Sequence, residues 1–129
     1  MWKGNFCGSH VRTQNHFALL LADAPVNFHR DAKSFIADKA WGARDIAEIE
    51  GATVRLHWTD RPYVWHVNDG KEVFVVLDGA VDMHYRTDDA EKVQRLEAGD
   101  IMAAEAGDEH VAHPVGEARI LVVEKKGSV

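Results

Sequence analysis

The stretch Tyr63 to Gly79 reads YVWHVNDGKEVFVVLDG. It places His66 and Glu72 directly before an apolar run and ends in Asp78-Gly79, a pair typical of a two-residue β-hairpin turn. An imidazole and a carboxylate are both common ligands of transition metals. This one segment therefore predicts a buried strand, a hairpin turn and part of a candidate metal site.

The composition indicates a single small domain. The chain has 129 residues, of which 46% are hydrophobic, enough for one core but not for a second full domain. The formal net charge is −6, and Lys and Arg are not clustered. Nucleic acids and anionic lipids bind to clustered cations that neutralise their phosphates. We therefore expect neither nucleic acid nor membrane as a partner.

The cysteine content and the apolar runs bear on the cellular compartment. Cys7 is the only cysteine, so an internal disulfide cannot form, and a reducing cytoplasm is the simpler location. The longest apolar run near the start, residues 17–22, is too short to span a bilayer and lacks a signal-peptide cleavage site after it. We expect a cytoplasmic protein.

The pattern changes near residue 34. Residues 1–34 contain scattered polar residues and glycines with one apolar cluster, Phe17 to Leu21, and we interpret them as an N-terminal extension that packs on the barrel or on a partner subunit. From there on, short strands alternate with turns too closely for crossover helices. Residues 35–129 are therefore predicted to form an antiparallel, all-β sandwich or barrel.

Two stretches predict strands with different surroundings. In residues 53–58 apolar and polar side chains alternate, which predicts one face in the core, formed by Val54, Leu56 and Trp58. Arg55 and His57 would then face either a cavity or solvent, and both alternatives stay open. Residues 72–77 are nearly all apolar, as in a strand covered on both faces. Asp78-Gly79 predicts a turn into a return strand at 80–86, and residues 87–91 a polar tip.

Residues far apart in the chain are predicted to meet at one site. His66 and Asn68 share a strand face because they are two apart, and a turn at Asp69-Gly70 would bring Glu72 beside them. Gly107 allows a tight turn that directs His110 inward. Three polar side chains and a second histidine would then converge in apolar surroundings.

This pattern resembles the two sequence motifs of the cupin superfamily. The first motif matches His66-Val67-Asn68, Glu72 and Gly79, and the second matches Gly99, Glu105, Gly107 and His110. The chain departs from the motifs at three places: Asn68 replaces the second metal-binding histidine, Glu105 replaces a proline, and Pro114 replaces an asparagine. The resemblance covers residues from about 53 to 124.

The resemblance implies a small single-domain cupin of the conserved-barrel type. Its fold would be an antiparallel double-stranded β-helix, or jelly-roll barrel, with a divalent transition metal near the centre. The ligands would be His66, Glu72 and His110, with Asn68 as a weak or water-mediated ligand. Two imidazoles and one carboxylate suit iron, manganese, nickel or zinc and leave open positions.

Further residues are candidates for substrate binding and catalysis. Arg55, His57, Tyr63 and Trp65 lie near the first motif and are predicted to line the substrate pocket, where Arg55 would bind a carboxylate or phosphate. Glu72 is a candidate catalytic group as well as a ligand. Glu105, or alternatively Glu109, would act as a general base if it lies at the rim of the cavity.

Three functions remain open at this point. The protein could be a metal-dependent oxygenase or isomerase acting on a small polar metabolite. It could instead be a metal-free domain that binds or senses a small molecule, as the replacement at Asn68 suggests. A structural dimerisation module is the third alternative, with His66 a buried, hydrogen-bonded histidine. Cupins are commonly dimers, so the resemblance also implies a homodimer.

Overall fold

The fold is that of a computed structural model, which describes residues 25–128. The interpretation of Phe17 to Leu21 as a packing segment lies outside these residues. A short 3-10 helix, Ala32–Ser34, precedes seven strands. The strands are β1 (Gly42–Ile49), β2 (Ala52–Thr59), β3 (His66–Val67), β4 (Glu72–Thr87), β5 (Ala90–Glu97), β6 (Ile101–Ala104) and β7 (Glu109–Lys125).

All strand pairs are antiparallel, which confirms the predicted all-β class. The order is β1-β2-β7-β4-β5, with β3 on β7 and β6 on β4. The two long central strands, β4 and β7, pair with each other along most of their length and carry different neighbours at their two ends. In the described part of the chain no helix has the length and apolarity to cross a membrane.

The core is formed by side chains from three of the strands. Its buried members come from β4, β5 and β7 and alternate along each strand, as expected when one face points inward. They are Phe74, Val76, Val81, Met83, Leu96, Ala112, Ala118, Ile120 and Val122. Burying each of the large members contributes about 1.5–3 kcal/mol of transfer free energy.

The prediction of a hairpin turn at Asp78-Gly79 is wrong. Strand β4 runs through these residues, and its register with β7 shifts on either side of Asp78. Gly79 has a φ of 83°, and a Cβ there would overlap the carbonyl oxygen of Glu117 on β7. The glycine therefore serves a β-bulge with a close backbone approach rather than a reversal.

The chain reverses instead at the segment that was predicted to be a polar tip. Asp88 and Asp89 have φ values of 51° and 64°, as a type I′ turn requires at both central residues. Thr87 pairs with Ala90 across this turn, so β4 and β5 form the two-residue hairpin.

The structure decides between the two alternatives that were open for Arg55 and His57 on β2. Arg55 pairs with Val122 and His57 with Ile120, and directly paired residues point to the same side of a sheet. Since Val122 and Ile120 belong to the core, the Arg55 face is the inner one. Leu56 is only 1% exposed on the opposite face. Leu56 and Trp58 are thus buried as predicted, and the partly buried Arg55 and His57 face the cavity rather than solvent alone.

The prediction that the first residues of β4 are covered on both faces is wrong. Phe74 and Val76 are buried, whereas Val73 is 37% exposed. The strand is thus buried on one face and partly open on the other. Its apolar outer residues do not require a second covering layer, because isolated exposed apolar side chains are common on protein surfaces.

Residues just before the barrel pack on its outer face. Arg119 is 9% exposed and points away from the core, since its neighbours Ala118 and Ile120 are buried inside. Its guanidinium donates to the carbonyl of Phe35 at 2.8 Å and to Asp78 at 3.0 Å. Asp31 accepts two hydrogen bonds from Arg44 on β1. These contacts attach residues 31–35 to the sheet.

Candidate metal centre and cavity

Three potential metal ligands meet at one end of the barrel. His66 on β3 pairs with His110 at the start of β7, and Glu72 opens β4. One ligand atom from each lies within 4.8 Å of the others. His110 is 3% exposed and Glu72 is 7% exposed. The two motifs of the sequence therefore converge as predicted.

Asn68 connects two of these residues. Its Nδ2 donates to Glu72 Oε1 at 3.1 Å, and its Oδ1 lies 2.9 Å from His110 Nε2. The same His110 nitrogen is 3.1 Å from Glu72 Oε1. Both neighbouring oxygens are acceptors, so Nε2 of His110 carries the hydrogen in this arrangement. The polar groups form a closed triangle of hydrogen bonds.

The backbone holds Asn68 in place. Its N–H donates to the carbonyl of Asp108 at 2.9 Å, and its own carbonyl accepts from the N–H of Gly107 at 2.8 Å. The turn before β7 is thereby fixed to the segment after β3. His66 and His110 are brought together by the same pairing, with ring centroids 4.4 Å apart.

The donor set fits a divalent transition metal. The Nδ1 of His66 donates to the carbonyl of Val64 at 3.0 Å, so its Nε2 has a free lone pair, and such a second hydrogen bond commonly orients a metal-bound imidazole. His110 Nδ1 is buried without a partner among the described residues. A metal at Nε2 of His110 would have to displace that nitrogen's hydrogen bonds to Asn68 and Glu72.

The surroundings of Glu72 favour the ionised form of its carboxyl group. Burial raises its pKa, but the hydrogen bond from His110, the charges of the nearby imidazoles and the hydrogen bond from Asn68 outweigh burial and hold the pKa of Glu72 below its ordinary value. A carboxylate that is ionised and held by hydrogen bonds at neutral pH is a competent ligand for a cation.

A cavity of about 180 Å³ adjoins the three potential ligands. Arg55, His57 and Tyr63 line it, as the sequence predicted for them. His57 donates from Nδ1 to the carbonyl of Trp41 at 3.0 Å. Burial lowers the pKa of His57, which favours a neutral imidazole in the cavity wall.

Two predicted site residues lie elsewhere. Trp65 is absent from the cavity wall, and its ring lies 3.9 Å below the guanidinium carbon of Arg86. Adjacent residues of an extended segment point in opposite directions, so Trp65 turns away when His66 points inward. Glu105 is exposed in the turn before β7, 3.8 Å from Lys71 Nζ, and Glu109 is paired with Arg86. Neither glutamate reaches the cavity.

Solved structures similar to this fold include proteins named as cupins. A cupin-2 domain containing protein from Shewanella frigidimarina NCIMB 400 is 27% identical, with a TM-score of 0.62 over 70% of this chain and 85% of that one. The chain has a cupin fold. A cupin superfamily protein from Desulfitobacterium hafniense DCB-2 is 13% identical, with a TM-score of 0.62 over 81% of this chain and 95% of that one.

A larger enzyme is also similar in fold. Hydroquinone 1,2-dioxygenase from Sphingomonas sp. TTNP3, solved with 4-hydroxybenzoate bound, is 20% identical, with a TM-score of 0.60 over 69% of this chain and 28% of that one. Searches with protein-family models and against curated proteins gave no match for the sequence. The likeness to the dioxygenase concerns the fold.

The cupin cavity contains two residues that sequence analysis missed. Glu124 lies on β7 between Thr53 and Glu72 in the sheet. Burial, followed by the negative charge of Glu72, raises the pKa of Glu124 to about 7. Its position two residues after Val122 is a signal that could have placed it on the inner face.

Trp41 is the second missed residue. It precedes β1 with a φ of 63°, and its indole Nε1 donates to the carbonyl of Arg61 at 2.9 Å. Its ring packs edge-on against Tyr63, with centroids 5.2 Å apart. No periodic pattern predicts this placement, because it depends on contacts between two loops.

Proposed function

We propose that the protein binds a divalent transition metal through His66, Glu72 and His110 and binds a small polar metabolite in the adjacent cavity. The observation that carries this proposal is the convergence of one ligand atom from each residue within 4.8 Å. All three residues also line the cavity. A molecule bound there would therefore lie beside the metal.

The donor set supports iron, manganese, nickel or zinc, with Asn68 as a weak or water-mediated ligand. Such a metal, when bound, acts as a Lewis acid toward an oxygen of the substrate. His57 and Tyr63 would orient the substrate from the cavity wall, and Trp41 would shield it from water. We propose oxygenation or isomerisation as the reaction class, and the similarity to hydroquinone 1,2-dioxygenase supports a fold suited to an oxygenase.

Metal analysis of the full chain purified without chelator tests the proposal, together with calorimetric titration of Fe²⁺, Mn²⁺, Ni²⁺ and Zn²⁺. We expect one metal per chain, and a loss of affinity on the order of tenfold or more in His66→Ala and His110→Ala. His113→Ala is the matched control, because its ring stacks on His84, 4.2 Å between centroids, outside the cavity. Failure of the parent protein to bind any of the four metals would overturn the proposal.

A second candidate is a metal-free domain that binds or senses a small molecule. The observation favouring it is the closed hydrogen-bond triangle, which pairs the side-chain amide of Asn68, Oε1 of Glu72 and Nε2 of His110 without a cation. Thermal unfolding in the presence of chelator separates the two functions. A ligand that stabilises the chelated protein supports the second candidate, whereas stabilisation by metals alone rejects it.

A further inference from the structure

The carboxyl group of Glu124 has no partner among the side chains of residues 25–128. It lies on the inner face of β7, lines the cavity beside Glu72, and forms neither an ion pair nor a side-chain hydrogen bond there. A partly buried carboxyl group without a partner loses hydration that nothing restores. A ligand that donates a hydrogen bond to it would remove this cost.

Arg55 presents a complementary group to the same cavity. Its Nε donates to Asp45 Oδ1 at 2.9 Å, and its terminal nitrogens form no hydrogen bond within the described residues. The Asp45 contact holds the side chain while leaving these terminal donors available. A guanidinium with free donors matches the two oxygens of a carboxylate.

Arg55 and Glu124 are diagonal neighbours on the inner face of two adjacent strands, and they do not form an ion pair. Arg55 pairs with Val122, and Glu124 follows two residues later on the same face. Such diagonal neighbours have Cα atoms about 7–8 Å apart, within reach of long side chains. The two charged groups instead remain separate on the wall of the cavity, where a molecule with complementary groups fits between them.

We propose that the cavity binds a small hydroxycarboxylic acid, with its carboxylate on Arg55 and its hydroxyl group on Glu124. This inference rests on the proposed function and specifies the class of its substrate. Reversed binding would place the ligand carboxylate beside Glu124 and its neighbour Glu72, and the negative charge of Glu72 would repel it, so one orientation is selected. The volume of about 180 Å³ is below the roughly 300 Å³ of the smallest drug-sized pockets, which limits the ligand to a small metabolite.

A hydroxyl group suits this site better than an ammonium group. Burial of an ammonium ion costs far more free energy than burial of a hydroxyl. Arg55 and a divalent metal at His66, Glu72 and His110 would both repel an ammonium. The ligand class is therefore a hydroxy acid rather than an amino acid of the same size.

Calorimetric titration of the full chain, both loaded with Zn²⁺ and treated with chelator, tests the inference with matched probes. Lactate, propionate and alanine differ at one position, as do malate, succinate and aspartate, and lactamide lacks the carboxylate. We expect at least one hydroxy acid to bind on the order of tenfold tighter than its deoxy and amino counterparts, and lactate to bind tighter than lactamide.

Variants then assign the two contacts. Glu124→Met is expected to remove the preference for the hydroxy acid over its deoxy analogue, and Glu124→Gln to restore part of it. Arg55→Met is expected to weaken the binding of every carboxylate ligand and to leave the binding of lactamide unchanged. Glu97→Met is the control, since this exposed glutamate lies on β5 away from the cavity wall.

The outcomes separate this inference from the metal proposal. Failure of both hydroxy acids to bind, tighter binding of an amino acid, or unchanged selectivity in Glu124→Met would overturn the hydroxy-acid inference while metal binding still stands. Absence of metal binding would overturn the metal proposal, and the selectivity of the chelated protein would still decide the ligand class.

Discussion

The Nε2 atom of His110 lies 2.9 Å from the Oδ1 atom of Asn68, and Asn68 also donates to Glu72. The residue that replaces a metal-binding histidine of the cupin motif thus holds two of the candidate ligands together by hydrogen bonds. A metal that bound His110 Nε2 would have to compete with this contact. We therefore expect the amide to lower the affinity for metal and to stabilise the metal-free site.

Replacement of Asn68 by histidine is expected to raise metal affinity. The substitution adds a nitrogen ligand, completes the cupin motif and removes the amide that competes for His110. We expect an increase on the order of tenfold or more, measured by calorimetric titration with Zn²⁺ and Mn²⁺. Unchanged or weaker binding in Asn68→His would show that Asn68 does not face the metal position.

Replacement of Asn68 by leucine is expected to destabilise the chelated protein. The substitution leaves the buried groups of His110 and Glu72 without their shared partner, at a cost of about 1–3 kcal/mol in the free energy of unfolding. Urea unfolding with chelator measures this cost, and saturating Zn²⁺ should recover part of it. A variant as stable as the parent in chelator would contradict the structural role of the triangle.

The bulge at Gly79 predicts that replacing this glycine by alanine destabilises the fold unusually strongly. In Gly79→Ala the new Cβ would overlap the backbone of Glu117, and the φ of 83° would be strained. Gly116→Ala is the control, because its φ is 75° but no atom lies within 4 Å of the new Cβ. Left-handed strain alone costs about 1–2 kcal/mol. We expect Gly116→Ala to lose that amount and Gly79→Ala clearly more, by urea unfolding; equal losses would reject the close approach.

Much of the site could be predicted from local rules. The period of two in strands and the turn at Asp69-Gly70 were enough to place His66 beside Glu72 and to direct His110 inward. That the three form one ligand set was expected from the resemblance to the cupin motifs. Trp65 was misplaced when nearness in sequence was taken for nearness in the cavity. Glu124 was missed because the apolar run before it indicated a central strand but not which residues share its inner face. Alternation from Val122 would have placed Glu124 on that face.

The interpretation of Gly79 failed for a different reason. A glycine after aspartate is common in both hairpin turns and bulges, and the choice depends on the backbone of β7, about forty residues later. Asp88 and Asp89 lack the glycine that usually marks a type I′ turn, so the actual reversal gave a weaker signal. Contacts between residues distant in sequence therefore determine that Gly79 forms a bulge and that the chain reverses at Asp88-Asp89.

The buried guanidinium of Arg119 predicts that the segment before β1 contributes to stability. Arg119→Met leaves the carbonyl of Phe35 and the carboxylate of Asp78 without their donor. The Asp78 side chain is 42% exposed and regains water, so we expect a loss of about 1–3 kcal/mol, as for a hydrogen bond that involves a charged group. Arg95→Met is the control, because its pair with Asp82 is half-exposed and such pairs contribute about 0.2–1 kcal/mol. Urea unfolding of both variants measures the difference; similar losses would contradict this role.

The buried imidazole of His57 predicts a specific loss of stability in acid. Burial lowers its pKa in the folded state from the ordinary value of 6.5, and the hydrogen bond to the carbonyl of Trp41 opposes this effect only in part. As pH falls through 6.5, the unfolded chain therefore binds a proton at this residue before the folded chain does. The contribution of His57 to the free energy of unfolding therefore decreases over that interval, down to the folded pKa of His57. Glu124, whose folded pKa is raised to about 7, contributes in the opposite direction and is present in the parent and the variants alike.

Two substitutions isolate this contribution. His57→Gln and His57→Phe both lack the titrating imidazole but differ in polarity, so their absolute stabilities differ. Both should lose less stability than the parent as pH falls, because the His57 contribution is gone. Urea unfolding with chelator between about pH 5 and 7.5, around the ordinary histidine pKa, gives the slope for each protein. If both variants lose stability in acid as steeply as the parent, the proton uptake arises at another residue.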